Sequence, residues 1–423
     1  MEQTQNNWTG KTMLFLVSQC ITLFGSMIVQ MSIIWYVTLQ TSSGGWVAAF
    51  TIGSYLPQFL ISFFAGVWAD RYSHKKLIIF ADGVIAAATL ILFLAIPAIS
   101  SDSILLCALL VISMIRSVGA GVQMPAVNAV IPRLVPEEYL MKYNGMNATM
   151  QSIVQFAAPA VAGAVLSIGT FRSVLFIDIL TALIGIGLLS CVLLPKQEAV
   201  NDNVSVLSEM KAGIRYSFSD QIIGKILTVY GLYILLCVPA GLMAALLVSR
   251  VYGDAYWYLT AVELVGFAGM ALGGVLMGIW GGFQSRVKTL TTGLFLLSTM
   301  TIGMGVSPYF ILYLVLMFVY SIALTMIQTA VTTIIQEKAE STMQGRVFGL
   351  MGAMYSGFLP VGMAIFGPLA DMLPLQWIMV GSGIALVFVT VYLQVKSELN
   401  LQELTGFEAC SILCIREIMS EKR

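Results

Sequence analysis

Four ionisable side chains, Asp82, Arg116, Asp178 and Glu263, fall inside long apolar runs of this chain. A carboxyl in such surroundings is costly to ionise, because a low-dielectric medium disfavours the charged form. If water reaches it first from one side and then from the other, it can carry a proton between them. Asp178 and Glu263 each stand about seven residues, roughly 10 Å, inside the outer ends of their runs. Asp82 stands only about five residues inside its run, so water or a polar loop can reach it. A buried arginine is costly too, about 2.5–3.5 kcal/mol on insertion scales, unless it meets a partner or water. The competing reading makes the acids structural, held neutral or paired with Arg116.

The apolar runs that must position these groups dominate the composition. Of 423 residues, 58% are hydrophobic and 10% charged, with mean hydropathy +0.91. That excludes an ordinary soluble domain. At about 20 residues per crossing, the chain has room for about twelve membrane helices. They are predicted near 12–38, 46–68, 77–97, 103–123, 144–167, 171–194, 222–248, 257–280, 287–306, 309–333, 345–369 and 376–396. The run from Thr12 to Leu39 is too long for a cleavable signal core and reads as a retained first helix.

Lys and Arg orient the bundle. Of 21, Arg116 is inside a span and Arg172 and Arg250 fall near the loops of one side, which leaves 21 − 3 = 18 for the other. By the positive-inside rule both termini are cytoplasmic. Net charge is zero, so bulk electrostatics point to no nucleic-acid or other charged partner. Of six cysteines, Cys20, Cys107, Cys191 and Cys237 lie in spans and read as small buried hydrophobes. Cys410 and Cys414 stand four apart in the tail with no histidine near, so neither a metal site nor a disulfide framework is expected.

Three spans carry polar stripes at helical spacing. Gln19, Thr22, Ser26 and Gln30 share one face of the first, and Asn144, Asn147, Gln151 and Gln155 one face of the fifth. Ser321, Thr325, Gln328 and Thr332 do the same in the tenth. A wet cavity between these helices is one reading, and hydrogen bonds that only glue helices together are the other. Tyr233, with Trp35, Tyr36, Tyr55, Phe59, Tyr230 and Tyr355, could present aromatic surface to a large ligand, or anchor helices at the interface.

Gly66-Val-Trp-Ala-Asp-Arg-Tyr-Ser-His-Lys-Lys-Leu77 concentrates Asp70, Arg71, His74, Lys75 and Lys76 in one short loop. This loop resembles the G-x-x-x-D-R-x-G-R-K signature of the major facilitator superfamily: Gly66, Asp70, Arg71 and Lys75 match, while Ser73 and His74 depart from it. Arg116-Ser-Val-Gly-Ala-Gly121 resembles the fourth-helix R-x-x-x-G-x-G motif, one residue short. Ala157-Ala-Pro159-Ala-Val-Ala-Gly163 is similar to the helix-5 G-P-x-x-G-G gating motif, keeping Pro159 and Gly163. Gly278 to Lys288 echoes Gly66 to Lys76, with Gly282 where Asp70 stands. Gly345-Arg346 lies fifteen residues before Pro360, as Asn144 does before Pro159. Such repetition fits two six-helix halves.

The resemblance spans residues 12 to 396. Arg133-Leu-Val-Pro-Glu-Glu138 and Gly345-Arg-Val-Phe-Gly349 draw it toward the drug–proton antiporter branch with macrolide efflux proteins, siderophore exporters being similar relatives. It implies an all-α membrane protein with twelve transmembrane helices in two pseudo-symmetric halves. The divisions are 1–194, a linker 195–221 with a short amphipathic helix over Val206 to Phe218, 222–396, and a tail 397–423. It further implies alternating access around a central site, with export of a small amphipathic drug, a macrolide before a tetracycline, against inward protons across the bacterial plasma membrane.

In that scheme Gly66, Asp70, Arg71, Lys75 and Arg346 form the cytoplasmic gate. Pro159 and Gly163 serve gating, and Glu263, Asp178, Arg116 and Asp82 couple protons. Gln19, Thr22, Ser26, Gln30, Gln151, Gln155, Tyr233, Thr325 and Gln328 line the cavity. The chain is expected to act as a monomer with no cofactor and no enzymatic activity. The phosphate-cradling G-x-x-x-x-G-K-[ST] loop is absent. Exporting a siderophore or other metabolite, or serving a separate ATPase as a membrane partner, are the alternatives.

Overall fold

The computed structural model describes residues 2–136, 139–192, 214–283, 285–340 and 343–394. All the regular structure in them is helical. In chain order the helices are α1 (Glu2–Thr41), α2 (Gly44–Arg71), α3 (His74–Ala95), α4 (Asp102–Leu134), α5 (Leu140–Ile168) and α6 (Phe171–Cys191). There follow α7 (Gln221–Gly241), α8 (Ala244–Val251), α9 (Tyr256–Trp280), α10 (Arg286–Val306), α11 (Phe310–Lys338) and α12 (Gln344–Met372). Residues 375–394 form α13.

Eleven described stretches are long and apolar enough to cross a membrane, with α7 and α8 counting as one. The 28-residue α2 runs among them. Hydrocarbon offers no partner to backbone N–H and C=O groups, so apolar runs of this length close their hydrogen bonds internally as helix. The element limits follow the apolar runs closely, with two clear differences: α1 begins at Glu2, ten residues before the expected start, and α4 runs on past its expected end. α4 was expected to stop near residue 123 but continues to Leu134 through Pro125 and Pro132. The proposed linker helix begins in residues outside the described set, of which only 214–219 are seen, as helix. The tail 397–423 and its two cysteines also lie outside that set. Cys107 and Cys191 are exposed on the bundle surface rather than buried as expected.

The packing pattern occurs twice. α1 rests on α5 and α6, and α2 and α3 rest on α4. Equivalently, α7 rests on α12, and α9 and α10 rest on α11. Between the two groups the broad contacts are α2 with α12 and α5 with α9. Close approach of α9 to α11 depends on small residues. A Cβ on Gly273 would meet Thr325 Cβ at 3.0 Å and Ile322 Cα at 3.1 Å, and one on Gly269 would run into the Phe318 carbonyl. α9 ends at Gly281, whose φ of 71° is left-handed, whereas α2 ends at Tyr72 with φ −112°. The second copy of the loop thus uses glycine to stop a helix where the first uses an extended residue.

At the end of the bundle opposite the basic loops, the two groups are tied together. Asp371, in the last turn of α12, accepts the backbone N–H of Gly44 at 2.6 Å and of Gly45 at 2.7 Å, and the Ser43 hydroxyl at 2.8 Å. These are the orphan donors at the start of α2, where a carboxylate is favoured by the helix dipole. Arg250, at the end of α8, donates to Asp371 at 3.0 Å, to the Ala370 carbonyl at 2.6 Å and to the Ser42 carbonyl through Nε at 3.0 Å. Ser42 has φ 46°, an unfavourable conformation for a side-chain-bearing residue. The guanidinium on its carbonyl helps hold it there. Below this knot the Ala48 methyl fits against Gly367, where a Cβ would clash.

Replacing Asp371 by Asn removes the charge from these bonds, which at this partly exposed position weakens closure by about 1–2 kcal/mol. A cysteine placed at Ala48 is expected to react roughly tenfold faster with a membrane-impermeant thiol reagent in Asp371→Asn than in the parent. Equal rates would show that the knot does not hold this end shut.

Candidate functional site

α1 presents Gln19, Ser26 and Gln30 at successive turns, and α5 presents Asn147, Gln151 and Gln155. Together with α2 and α4 they enclose a cavity of ≈ 300 Å³. Gln58 and Ser54 come from α2, and Ser113, Arg116, Ser117 and Gln123 from α4. Leu16, Cys20, Leu23, Met27, Ile33, Ala120, Met124, Val127 and Met150 complete the wall. The wall therefore combines seven carboxamides with hydroxyls and flexible apolar side chains, and its one charged residue is Arg116. Such a site donates and accepts hydrogen bonds without a net field and suits an amphipathic ligand.

Arg116 is neutralised from behind. Its Nη1 lies 2.5 Å from Asp178 Oδ2 on α6, and both side chains are almost fully buried. The same Nη1 also donates to the Thr89 hydroxyl of α3, and Thr89 Oγ1 lies 2.8 Å from Asp178 Oδ2. Nη2 reaches the Ser26 hydroxyl at 3.1 Å and the Ser26 carbonyl at 3.3 Å on α1. One charge thereby links α1, α3, α4 and α6. Asp82 sits close by on α3, 3% exposed. Its Oδ1 accepts from Gln123 Nε2 at 2.6 Å, and its Oδ2 has no hydrogen-bond partner among the described residues. Gln123 thus connects a buried acid to the cavity wall.

Beside Arg116, Ser117 opens α2. Its hydroxyl donates to the Ser54 carbonyl at 2.6 Å and accepts the Gln58 N–H at 3.0 Å, standing where the i→i−4 bond of α2 would run. Pro57 lies between these two residues and disfavours the regular bond. The insertion turns Gln58 into the cavity. Nothing in the residue spacing flagged Ser117, Gln58, Gln123, Thr89, Arg250 or Asp371. For Ser117 the sequence showed only its place next to a buried arginine; that it faces the proline-bearing α2 is visible in the structure alone.

The other expected site residues fall in several places. Thr22 turns to α6, its methyl against Gly185, and its hydroxyl bonds to the Ser18 and Gln19 carbonyls. Thr325 faces α9, donating to the Met270 carbonyl at 3.2 Å. Both belong to helix packing rather than to the cavity wall. Tyr233 is buried beside Tyr230, with ring centroids 6.1 Å apart, and Gln328 is exposed, 3.4 Å from the Tyr230 hydroxyl. Glu263 is half-buried on α9 and near enough to Tyr55 of α2 to interact electrostatically.

Pro159 and Gly163 lie on the α5 face toward α9, where a Cβ on Gly163 would strike Thr260. Lys75, expected at the gate, donates to the Ser190 carbonyl at 2.7 Å and the Val192 carbonyl at 2.8 Å, capping α6. Arg346 is in the first turn of α12 with Nη1 3.3 Å from Met343 Sδ. The backbone of Gly66, Asp70 and Arg71 closes α2; their side chains lie outside the described set.

A family model described as Major Facilitator Superfamily matches residues 15–358. "Macrolide efflux protein A" of Streptococcus pyogenes is 28% identical over 411 residues, covering 94% of this chain and 99% of its own. "Multidrug efflux pump Tap" of Mycobacterium tuberculosis is 22% identical, covering 87% and 88%. Among solved structures, a bacterial homologue of the iron transporter ferroportin in its inward-facing state superposes with TM-score 0.68 at 14% identity, covering 91% of this chain and 98% of that one.

Removing one member of a buried ion pair leaves the other uncompensated, at a cost of about 3–5 kcal/mol. Asp178→Asn should therefore lower the melting temperature of the purified protein clearly, and Arg116→Gln combined with Asp178→Asn should recover most of the loss. If the double variant melts no higher than the single one, the pair is not what holds these helices.

Proposed function

The chain belongs to the major facilitator superfamily, and on that premise we propose that it exports amphipathic antibiotics, macrolides first and tetracyclines second, in exchange for protons. It is a multi-pass transporter of the bacterial plasma membrane and not an enzyme. The observation that carries the finer reading is the carboxamide-walled cavity whose one charged residue, Arg116, is compensated by Asp178. The similarity to proteins named for macrolide and multidrug efflux supports it.

In this reading the chain crosses the membrane twelve times, with both termini and the basic loops in the cytoplasm. Residues 1–194 and 222–396 act as two halves that rock about the cavity. The Asp371–Arg250 knot closes the outer end. Gly66, Asp70, Arg71 and Arg346 close the cytoplasmic end in the alternate state, with Pro159 and Gly163 on the moving contact.

With Asp178 ionised, Arg116 is compensated and the cavity is neutral toward an amphipathic amine. A proton that binds Asp178 from the outer side uncovers the guanidinium, which repels such a ligand and favours its release. Loss of the proton to the cytoplasm restores the pair. Asp82 and Glu263 are the further carboxyls that could relay the proton. The transport unit is the single chain with no cofactor, and no ATPase partner is needed.

Drug accumulation in cells expressing the chain tests this. Lower macrolide accumulation, abolished by a protonophore, is the expected result. Asp178→Asn at equal expression should abolish export, and Gln151→Leu with Gln155→Leu should weaken drug binding by roughly tenfold. Export that survives the protonophore would overturn proton coupling. Unchanged accumulation of every drug class would overturn the substrate reading.

A further inference from the structure

A larger cavity, of ≈ 880 Å³, opens at the basic end among α7, α10, α11 and α13. Its interior is apolar, with Val229, Ile334 and Leu393 buried. Ile222, Leu232 and Phe388 line it and are between 41% and 70% exposed, on helices long and apolar enough to cross a membrane. Its rim is charged: Lys225, Arg286 and Lys338 line it with Asp220 and Glu337.

The two acids are engaged elsewhere. Asp220 Oδ1 accepts the N–H groups of Ile222 and Ile223 at 2.8 and 2.9 Å, capping α7. Glu337 accepts from Arg286 Nε at 3.1 Å, and Arg286 Nη1 is held by the Gly281 carbonyl at 3.1 Å. No described carboxylate lies within ion-pair distance of Lys225 or Lys338. Two ammonium groups with no carboxylate partner among the described residues therefore stand over an apolar groove whose lining includes exposed apolar side chains.

We propose that this groove binds an anionic phospholipid from the leaflet at the basic end. Lys225 and Lys338 take the phosphate, and the acyl chain runs along Val229 and Leu232 toward Phe388. A ligand charged at one end and apolar along its length matches both features, whereas an aqueous anion matches only the rim. A lipid held there bridges α7, α11 and α13. This site shares no lining residue with the carboxamide cavity, so the proposal is independent of what the protein exports.

The test uses the purified full-length chain in mild detergent, titrated with phosphatidylglycerol or phosphatidylcholine and read by native mass spectrometry. Phosphatidylglycerol should be retained preferentially, and each of Lys225→Gln and Lys338→Gln should weaken its retention by roughly fivefold. Arg172→Gln, at the opposite end, should leave it unchanged. A photoreactive acyl chain on phosphatidylglycerol should label Leu232 or Phe388 in the unmutated protein, a readout that does not depend on any variant folding. Equal retention in the double lysine variant, or labelling confined to other helices, would overturn the proposal. So would crosslinking of the groove to residues 395–423 that excess phosphatidylglycerol does not displace.

Discussion

The contact between Arg116 and Asp178 is the constraint around which α1, α3, α4 and α6 are arranged. A guanidinium cannot stand alone in hydrocarbon, so α6 supplies the counter-charge, α3 the Thr89 hydroxyl and α1 the Ser26 hydroxyl and carbonyl. Each helix must hold its azimuth for the cluster to close. The cavity follows from it: with its single charged residue compensated from behind, the wall can be built of carboxamides and thioethers and remain neutral. Position and electrostatics are set by one interaction.

The second group of helices has the same packing order and a different interior. In place of a buried pair it has buried tyrosines, Tyr230, Tyr233, Tyr313 and Tyr320, and a glycine seam between α9 and α11. One group is held by charge and the other by close backbone approach and ring packing. The repeat in the sequence therefore preserves topology while the two groups diverge in what they offer a ligand.

The helices were legible because hydrocarbon allows an apolar run of this length little besides helix. Gln19, Ser26, Gln30, Gln151 and Gln155 were legible because long or small polar groups repeating on one face need a polar neighbour. Thr22 and Thr325 carry the same polar signal but do not line this cavity. A threonine can satisfy its hydroxyl on its own helix or a neighbour's carbonyl and pack its methyl outward, so its polarity says little about which way it faces. Partners were harder than faces. Arg116 and Asp178 are 62 residues apart, and Asp371 and Gly44 are 327 apart. Ser117 could not be singled out without knowing that α4 meets α2 at Pro57.

The knot at the end opposite the basic loops has a further consequence. Asp371 grips main-chain N–H groups of Gly44 and Gly45, and Arg250 grips the main-chain oxygens of Ser42 and Ala370. Four of these six groups are therefore backbone, which every substitution except proline retains. Correlated change between the two groups of helices would leave little trace of this contact in related chains, because only Asp371, Arg250 and the Ser43 hydroxyl contribute side chains to it. A tie between the two groups that is built mainly from backbone groups is one that residue covariation would underweight.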